Sequence, residues 1–304
     1  MSSKKVDLII KNAFIYDGSG SAAFQGEIAV KDDKIIAIAS PDNLTYKSDE
    51  IVDAKGAALA PGFIDVHSHS DTRVIAVPSA DSKISQGVTS EVVGNCGFSD
   101  FVISRESNPL GDSPLGIMSG EFKDYIKKVE EAEPAVNIAA LCGHNSLRVR
   151  VMGYSDREAN DEELAEMKKL LEEALEQGAA GFSSGLWYIP GSFSNSEEVK
   201  KLAAALKGTG KVYATHMRSE GNQLIESLNE AIEIARAGDN SLQISHFKTA
   251  KPHNWHKIDK AIEIVENAQK EGMDILADRY PYIYSSTSLR MVTVCENIHS
   301  FFLC

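Results

Sequence analysis

The sequence predicts an α/β chain: a (β/α)8-type barrel lacking its eighth strand, behind a small N-terminal β-sandwich-like domain. Three observations carry this. From Gly62 onward, short apolar runs that end in polar residues alternate with amphipathic helical stretches. The polar residues at successive run ends are evenly spaced, with Ser184, His216, His246 and Asp278 falling 32, 30 and 32 residues apart, about the length of one strand-loop-helix-loop unit. Residues 6–60, in contrast, show strand and turn chemistry and no helical period. The expected organisation is a β domain at 1–60, an incomplete composite sandwich; a barrel at 61–290; and an aberrant tail at 291–304.

In the first segment, Val6 to Tyr16 ends at Asp17-Gly18-Ser19-Gly20, Glu27 to Lys31 turns through Asp32-Asp33 into Lys34 to Ala39, and Ile51-Val52 precedes Gly56. This is too little chain for a good independent core. The barrel strands are expected at Phe63 to Asp71, Glu91 to Phe98, Val136 to Gly143, Ala179 to Leu186, Val212 to Arg218, Leu242 to Lys248 and Asp274 to Pro281. Helices are expected at Glu162 to Gln177, Leu224 to Ala237 and Ile258 to Lys270, each followed by a glycine (Gly178, Gly238, Gly272) suited to a left-handed C-terminal cap. An open doubly wound sheet is the competing arrangement, but polar residues at nearly every strand end favour a barrel, whose site collects side chains from many strands.

Composition narrows the function. A formal charge of −13 repels nucleic-acid phosphate and anionic membrane surfaces, so neither is expected as a partner. The apolar stretch Leu8-Ile9-Ile10 stops at Lys11, too short for a signal segment or a membrane span. Four cysteines (Cys96, Cys142, Cys295, Cys304) in a chain this long do not make a disulfide framework, and a reducing, cytoplasmic setting is expected.

Metal-ligand residue types gather at the strand ends. In Asp65-Val66-His67-Ser68-His69-Ser70-Asp71, period-two alternation puts His67 and His69 on one side, where two imidazoles suit one divalent metal. Cys96 in Gly94-Asn95-Cys96-Gly97, His216 and His246 each follow an apolar strand; singly each has an ordinary reading, but the combination points to a metal centre. His144 reads as structural, and His253, His256 and His299 receive no role. Lys248, two residues after His246 and so on the same strand face, is a cation placed to meet a substrate carboxylate.

These residues resemble a known family. Ala60-Pro61-Gly62-Phe63-Ile64-Asp65 followed by Val-x-His-x-His is an amidohydrolase-superfamily pattern. Gly94 to Ser99, Ser183 to Gly191, Thr215 to Gly221, Ser245 to Lys248 and the opening Leu8 to Ala13 with Asp17 to Gly20 are similar to N-acyl-D-amino-acid deacylases (D-aminoacylases), from about residue 6 to about residue 290. The resemblance implies a zinc hydrolase that cleaves the amide of small N-acyl-D-amino acids. It implies that Cys96, His216 and His246 hold the tightly bound metal, while His67 and His69 serve a weaker second site that shares the cysteine. Tyr280 matches the family's substrate-binding tyrosine, with Tyr282 the alternative, and Arg218 with Glu220 would form an ion pair positioning His216. Dihydroorotase-like relatives carry a bridging carboxylated lysine where this chain has Ser183-Ser184-Gly185, which favours the cysteine-bridged arrangement.

The family's eighth-strand aspartate has no counterpart here, and Asp278, on the seventh, is not given its role; no catalytic residue is assigned. The expectation is therefore a truncated or frame-shifted product with its metal ligands intact and its activity reduced or lost. The alternatives are another amidohydrolase acting on a cyclic amide or an N-acyl dipeptide, and a non-catalytic metal-binding fragment.

Overall fold

The computed structural model describes residues 4–103 and 120–287; the segment at 291–304, with Cys295, His299 and Cys304, lies outside them. The chain divides into two compact units between Phe63 and Ile64.

The first unit is one mixed sheet. Its strands are β1 (Leu8–Ile15), β2 (Phe24–Lys31), β3 (Lys34–Ala39), β4 (Glu50–Asp53) and β5 (Ala58–Leu59), in the order β3-β2-β1-β4 with β5 also pairing β1. β1-β2 and β2-β3 pair antiparallel, whereas β4 and β5 lie parallel to β1. Period-two alternation gives a small apolar cluster on each face: Val6, Ile9 and Ala29 on one, Ala13, Ile15 and Ile28 on the other. Among the described residues it is a single layer rather than a sandwich, and Ile35, Ile38, Ile51 and Val52 are exposed.

The second unit is built on a seven-stranded sheet in strict chain order: β6 (Phe63–Asp65), β7 (Val88–Val93), β8 (Asn137–Gly143), β9 (Gly181–Gly185), β10 (Val212–His216), β11 (Ser241–Ile244) and β12 (Ile275–Ala277). Each pairing from β7 to β12 is parallel, as sequential βα units require. The sheet curls: His67, just past β6, and Asp278, just past β12, meet with Nδ1 and Oδ1 3.1 Å apart although their strands are the two edges. This is a barrel sheet with seven strands described. Phe63, Ile64 and Leu276 on its edge strands are exposed.

The helices are α1 (Arg73–Ala76), α2 (Asp81–Ile84), α3 (Phe122–Ala132), α4 (His144–Met152), α5 (Asp161–Glu176), α6 (Ser196–Ala203), α7 (Leu224–Gly238) and α8 (Ile258–Lys270). α5 starts on a capping box, in which Asn160 Oδ1 accepts from Glu163 N (2.8 Å) and Glu163 Oε2 accepts from Asn160 N (2.9 Å). Met167 and Leu171 of α5, Val199 and Leu202 of α6, and Leu224, Leu228 and Ile232 of α7 pack with Phe182 and Tyr213 of the sheet in one core.

Three sequence expectations are corrected. Six of the seven barrel strands are shorter than expected at their carboxyl ends, because the polar residues there leave the ladder to form loops; β8 ends at Gly143 as expected, whereas β6 stops at Asp65, before both histidines. α3, α4 and α6 were not anticipated. α4 is buried all round from His144 to Val149, so it carries no amphipathic period to find. Gly238 lies inside α7, and Asp239 (φ +52°) takes the left-handed cap instead. A Cβ on Gly238 would sit 2.4 Å from the Ala203 carbonyl, so that glycine serves close helix packing.

Candidate metal centre

The histidine loop is anchored by its serines. Ser68 Oγ donates to Glu91 Oε2 at 2.7 Å, Ser70 Oγ bonds the same oxygen, and Ser68 N donates to Val92 O at 2.9 Å. Glu91 is buried in β7 and also has Lys83 Nζ at 3.6 Å, itself 2.5 Å from Asp65 Oδ2. With the serines held against β7, the rings of His67 and His69 lie side by side, centroids 5.3 Å apart.

Cys96 is buried in the loop after β7, with Sγ 3.3 Å from His67 Nε2 and 3.7 Å from His246 Nε2. Cys96 (φ +54°) and His246 (φ +39°) both hold left-handed backbone, a conformation costing roughly 1–3 kcal/mol that concentrates at functional sites. His216 ends β10. Its ring is edge-on to His246, centroids 4.4 Å apart, stacks on Trp187 and meets the edge of Tyr188.

Two carboxylates, Glu220 and Asp278, stand against these rings. Glu220 Oε1 lies 2.5 Å from His246 Nδ1 while its Oε2 lies 2.5 Å from Lys248 Nζ. Asp278 Oδ1 accepts from His246 N at 2.7 Å and faces His67 Nδ1. Asp278 Oδ2 accepts from Gln243 at 2.9 Å. Carboxylate oxygens thus stand beside the Nδ1 atoms of His67 and His246, while the Nε2 atoms of both rings face the Cys96 sulfur. Burial alone would raise Glu220, but the His246 hydrogen bond and the His216, His246 and Lys248 charges bring it down to about 2.

The donor set fits a divalent metal. Two groups of three donors come within 4.8 Å of one another among the described residues: His67, Cys96 and His246, and His216, Glu220 and His246. Burial pushes the Cys96 thiol far up, and the Asp278 and Glu220 charges add to it, so a thiolate here calls for a cation against the sulfur. Burial holds His216 neutral, the form that ligates, and its Nδ1 is buried with no hydrogen-bond partner. His246 is common to both groups, and His69, exposed, belongs to neither.

Lys248 and Tyr280 stand together: Nζ is 5.5 Å from the Tyr280 ring centroid, with Arg279 stacked 4.0 Å from the same ring, whereas Tyr282 is largely exposed. Arg218 does not pair with Glu220. It binds both oxygens of Glu230 on α7 (2.9 and 3.0 Å) and the carbonyls of Ser192 and Ser194. His144 is buried away from these donors against Glu198, 2.8 Å from Nε2 to Oε1. Sequence reasoning left Glu91 and Asp278 without a role. A glutamate inside the apolar run of β7 was a readable signal for the first, and its place in the spacing after His246 for the second.

A curled parallel sheet with histidines and a cysteine at the carboxyl ends of its strands has its candidate donors on the face where barrel proteins carry their functional side chains. The chain belongs to the amidohydrolase family, whose model matches residues 50–292. It is 37% identical over 295 residues to N-acyl-D-aspartate deacylase of Alcaligenes xylosoxydans xylosoxydans, covering 94% of this chain and 58% of that one. A D-aminoacylase crystal structure superposes with a TM-score of 0.85 at 33% identity, over 91% of this chain and 59% of that one. N-acyl-D-glutamate deacylase from Bordetella bronchiseptica, in complex with zinc and a phosphonate mimic of the tetrahedral intermediate, gives 0.85 at 32% identity, over 92% and 59%. The chain spans about six tenths of the length of these relatives.

Proposed function

We propose that this chain carries the metal centre of a zinc-dependent hydrolase that cleaves the amide of small N-acyl-D-amino acids, releasing a carboxylate and the free D-amino acid. The observation that carries the reading is the Cys96 sulfur held 3.3 Å from His67 and 3.7 Å from His246 at loops following three different strands. Cys96, His216 and His246 would hold the metal, with His67 and His69 offering a second position beside the same sulfur. Once bound, zinc supplies Lewis-acid polarisation of the scissile carbonyl and acidifies water. The protein's own residues do the rest. Glu220 and Asp278 keep the imidazoles in the ligating tautomer, and Lys248 with Tyr280 offers a cation and a phenol to the substrate carboxylate. Free buried Cys96 and Cys142 suit a reducing cytoplasmic setting.

The test is release of free amino acid from N-acetyl-D-methionine, N-acetyl-D-aspartate and N-acetyl-D-glutamate against their L forms, by zinc-loaded wild-type and Cys96→Ala proteins. Cleavage of a D substrate alone, lost in Cys96→Ala, is expected. Zinc held at Cys96 with no turnover of any substrate would instead favour a non-catalytic metal-binding role.

A further inference from the structure

We propose that Ser183 of β9 is the positioning residue for the Cys96 thiolate. This inference rests on the metal-centre reading above and names the group that aims its sulfur. The Ser183 hydroxyl is fully buried and spans the cysteine loop: it accepts from Gly97 N at 3.1 Å and donates to Gly94 O at 2.5 Å. These are the peptide groups on either side of Asn95-Cys96. One hydroxyl therefore fixes the peptide plane that follows Cys96 and the one that precedes Asn95, pinning both ends of the two-residue turn that carries the sulfur. The loop needs such a clamp because Gly94 (φ +75°), Cys96 (φ +54°) and Gly97 (φ +80°) are all left-handed. A cysteine does not hold that conformation unless its surroundings impose it.

The rest of the cradle is shaped to let the loop lie directly on the sheet. A Cβ on Gly185 would sit 2.0 Å from the Cys96 carbonyl, one on Gly94 2.1 Å from the Leu141 carbonyl, and one on Gly97 2.7 Å from Gly185 N. Asn95 adds a bond of its own to Val92 O at 2.9 Å. The next residue makes a matched contrast. Ser184 is just as buried, but its hydroxyl bonds Tyr213 (2.7 Å) and Thr215 (2.8 Å) and touches nothing in the cysteine loop.

The experiment titrates metal-free protein with cobalt(II) alone, following the sulfur-to-cobalt charge-transfer absorption, in wild type and in Ser183→Ala, Ser183→Thr, Ser184→Ala and Cys96→Ala. Ser183→Ala is expected to bind cobalt 10- to 100-fold more weakly with a diminished sulfur band. Ser183→Thr, which keeps the hydroxyl, recovers much of both, and Ser184→Ala behaves as wild type. Wild-type affinity and band in Ser183→Ala would overturn the proposal, as would an equal loss in Ser184→Ala, which marks a merely structural effect. Should Ser183→Ala not fold, Ser183→Cys, of similar size but a weak hydrogen-bonding group, is read by the same criteria. A sulfur band that persists in Cys96→Ala would sink the metal-centre reading itself, a result distinct from failure of the Ser183 clamp.

Discussion

Arg148→Met is expected to destabilise the protein by roughly 3–5 kcal/mol through the charge it strands. Arg148 is fully buried, and its Nη1 donates to both oxygens of Glu198, at 2.7 and 2.6 Å, while Nη2 donates to Arg157 O at 2.6 Å. Glu198 is also buried; it takes a further bond from His144 Nε2 and sits in the first turn of α6, where the helix dipole favours its charge. Burial alone would raise its pKa, but His144 and Arg148 together bring it to about 2, so it is ionised at every working pH. With methionine at 148, that carboxylate keeps His144, a long bond from Ala159 N (3.4 Å) and the helix end against its desolvation. For a unit of this size the loss corresponds to a fall in Tm of about 6–20 °C. The double variant Arg148→Met/Glu198→Gln keeps an oxygen for His144 but removes the stranded charge, so it is expected to be more stable than Arg148→Met alone. Urea and thermal unfolding of the four proteins close the cycle. A cost below about 1 kcal/mol for Arg148→Met, or a double variant costing the sum of the singles, would refute the reasoning.

Acid titration of stability follows from the same network. A carboxylate whose folded pKa is depressed stabilises fully above its unfolded value of 4.5 and loses that contribution as pH falls towards about 2; urea midpoints between pH 6 and pH 2.5 should show an acid limb that flattens in Arg148→Met/Glu198→Gln. Gly94→Ala is expected to cost about 2–5 kcal/mol, combining left-handed strain with overlap on the Leu141 carbonyl, whereas Gly208→Ala, at the same φ of +75° but with nothing within 4 Å, carries the strain alone, about 1–2 kcal/mol; equal costs would discredit the close-approach argument. In protein that turns over an N-acyl-D-amino acid, Lys248→Met should raise KM about 10- to 150-fold, the value of one charged hydrogen bond, and affect kcat less. Steady-state kinetics showing kcat reduced at unchanged KM would remove Lys248 from carboxylate binding.

The barrel order was legible because every unit shows an apolar run, and those that end in α5, α7 and α8 announce themselves a second time by a helix with a stop signal. α4 was not, since its sequence, from His144 to Met152, is enclosed on every side and obeys no period. The candidate donors were legible for a chemical reason: cysteine and histidine at strand ends have few other uses. What orders them was not, because Gly97 to Ser183 and Cys96 to His246 are contacts across 86 and 150 residues, and no local pattern encodes which carboxylate meets which ring. Arg218 illustrates the failure. Proximity in sequence suggested Glu220, two residues on, but the chain turns away, and the guanidinium reaches α7 while Glu220 takes His246 and Lys248.

The His-x-His motif shows how a correct pattern can have a different cause from the one that suggested it. Strand alternation predicts that His67 and His69 share a side, and their rings do lie together, yet β6 ends at Asp65 and neither histidine is on a strand. The alternation is imposed instead by Glu91, a buried carboxylate of the neighbouring strand that takes the hydroxyls of Ser68 and Ser70 and so fixes every second residue of the loop. The serines are thus as much a part of the motif as the histidines. Each hydroxyl helps satisfy that buried carboxylate, so replacing either serine by alanine removes a bond that holds the histidine loop against β7.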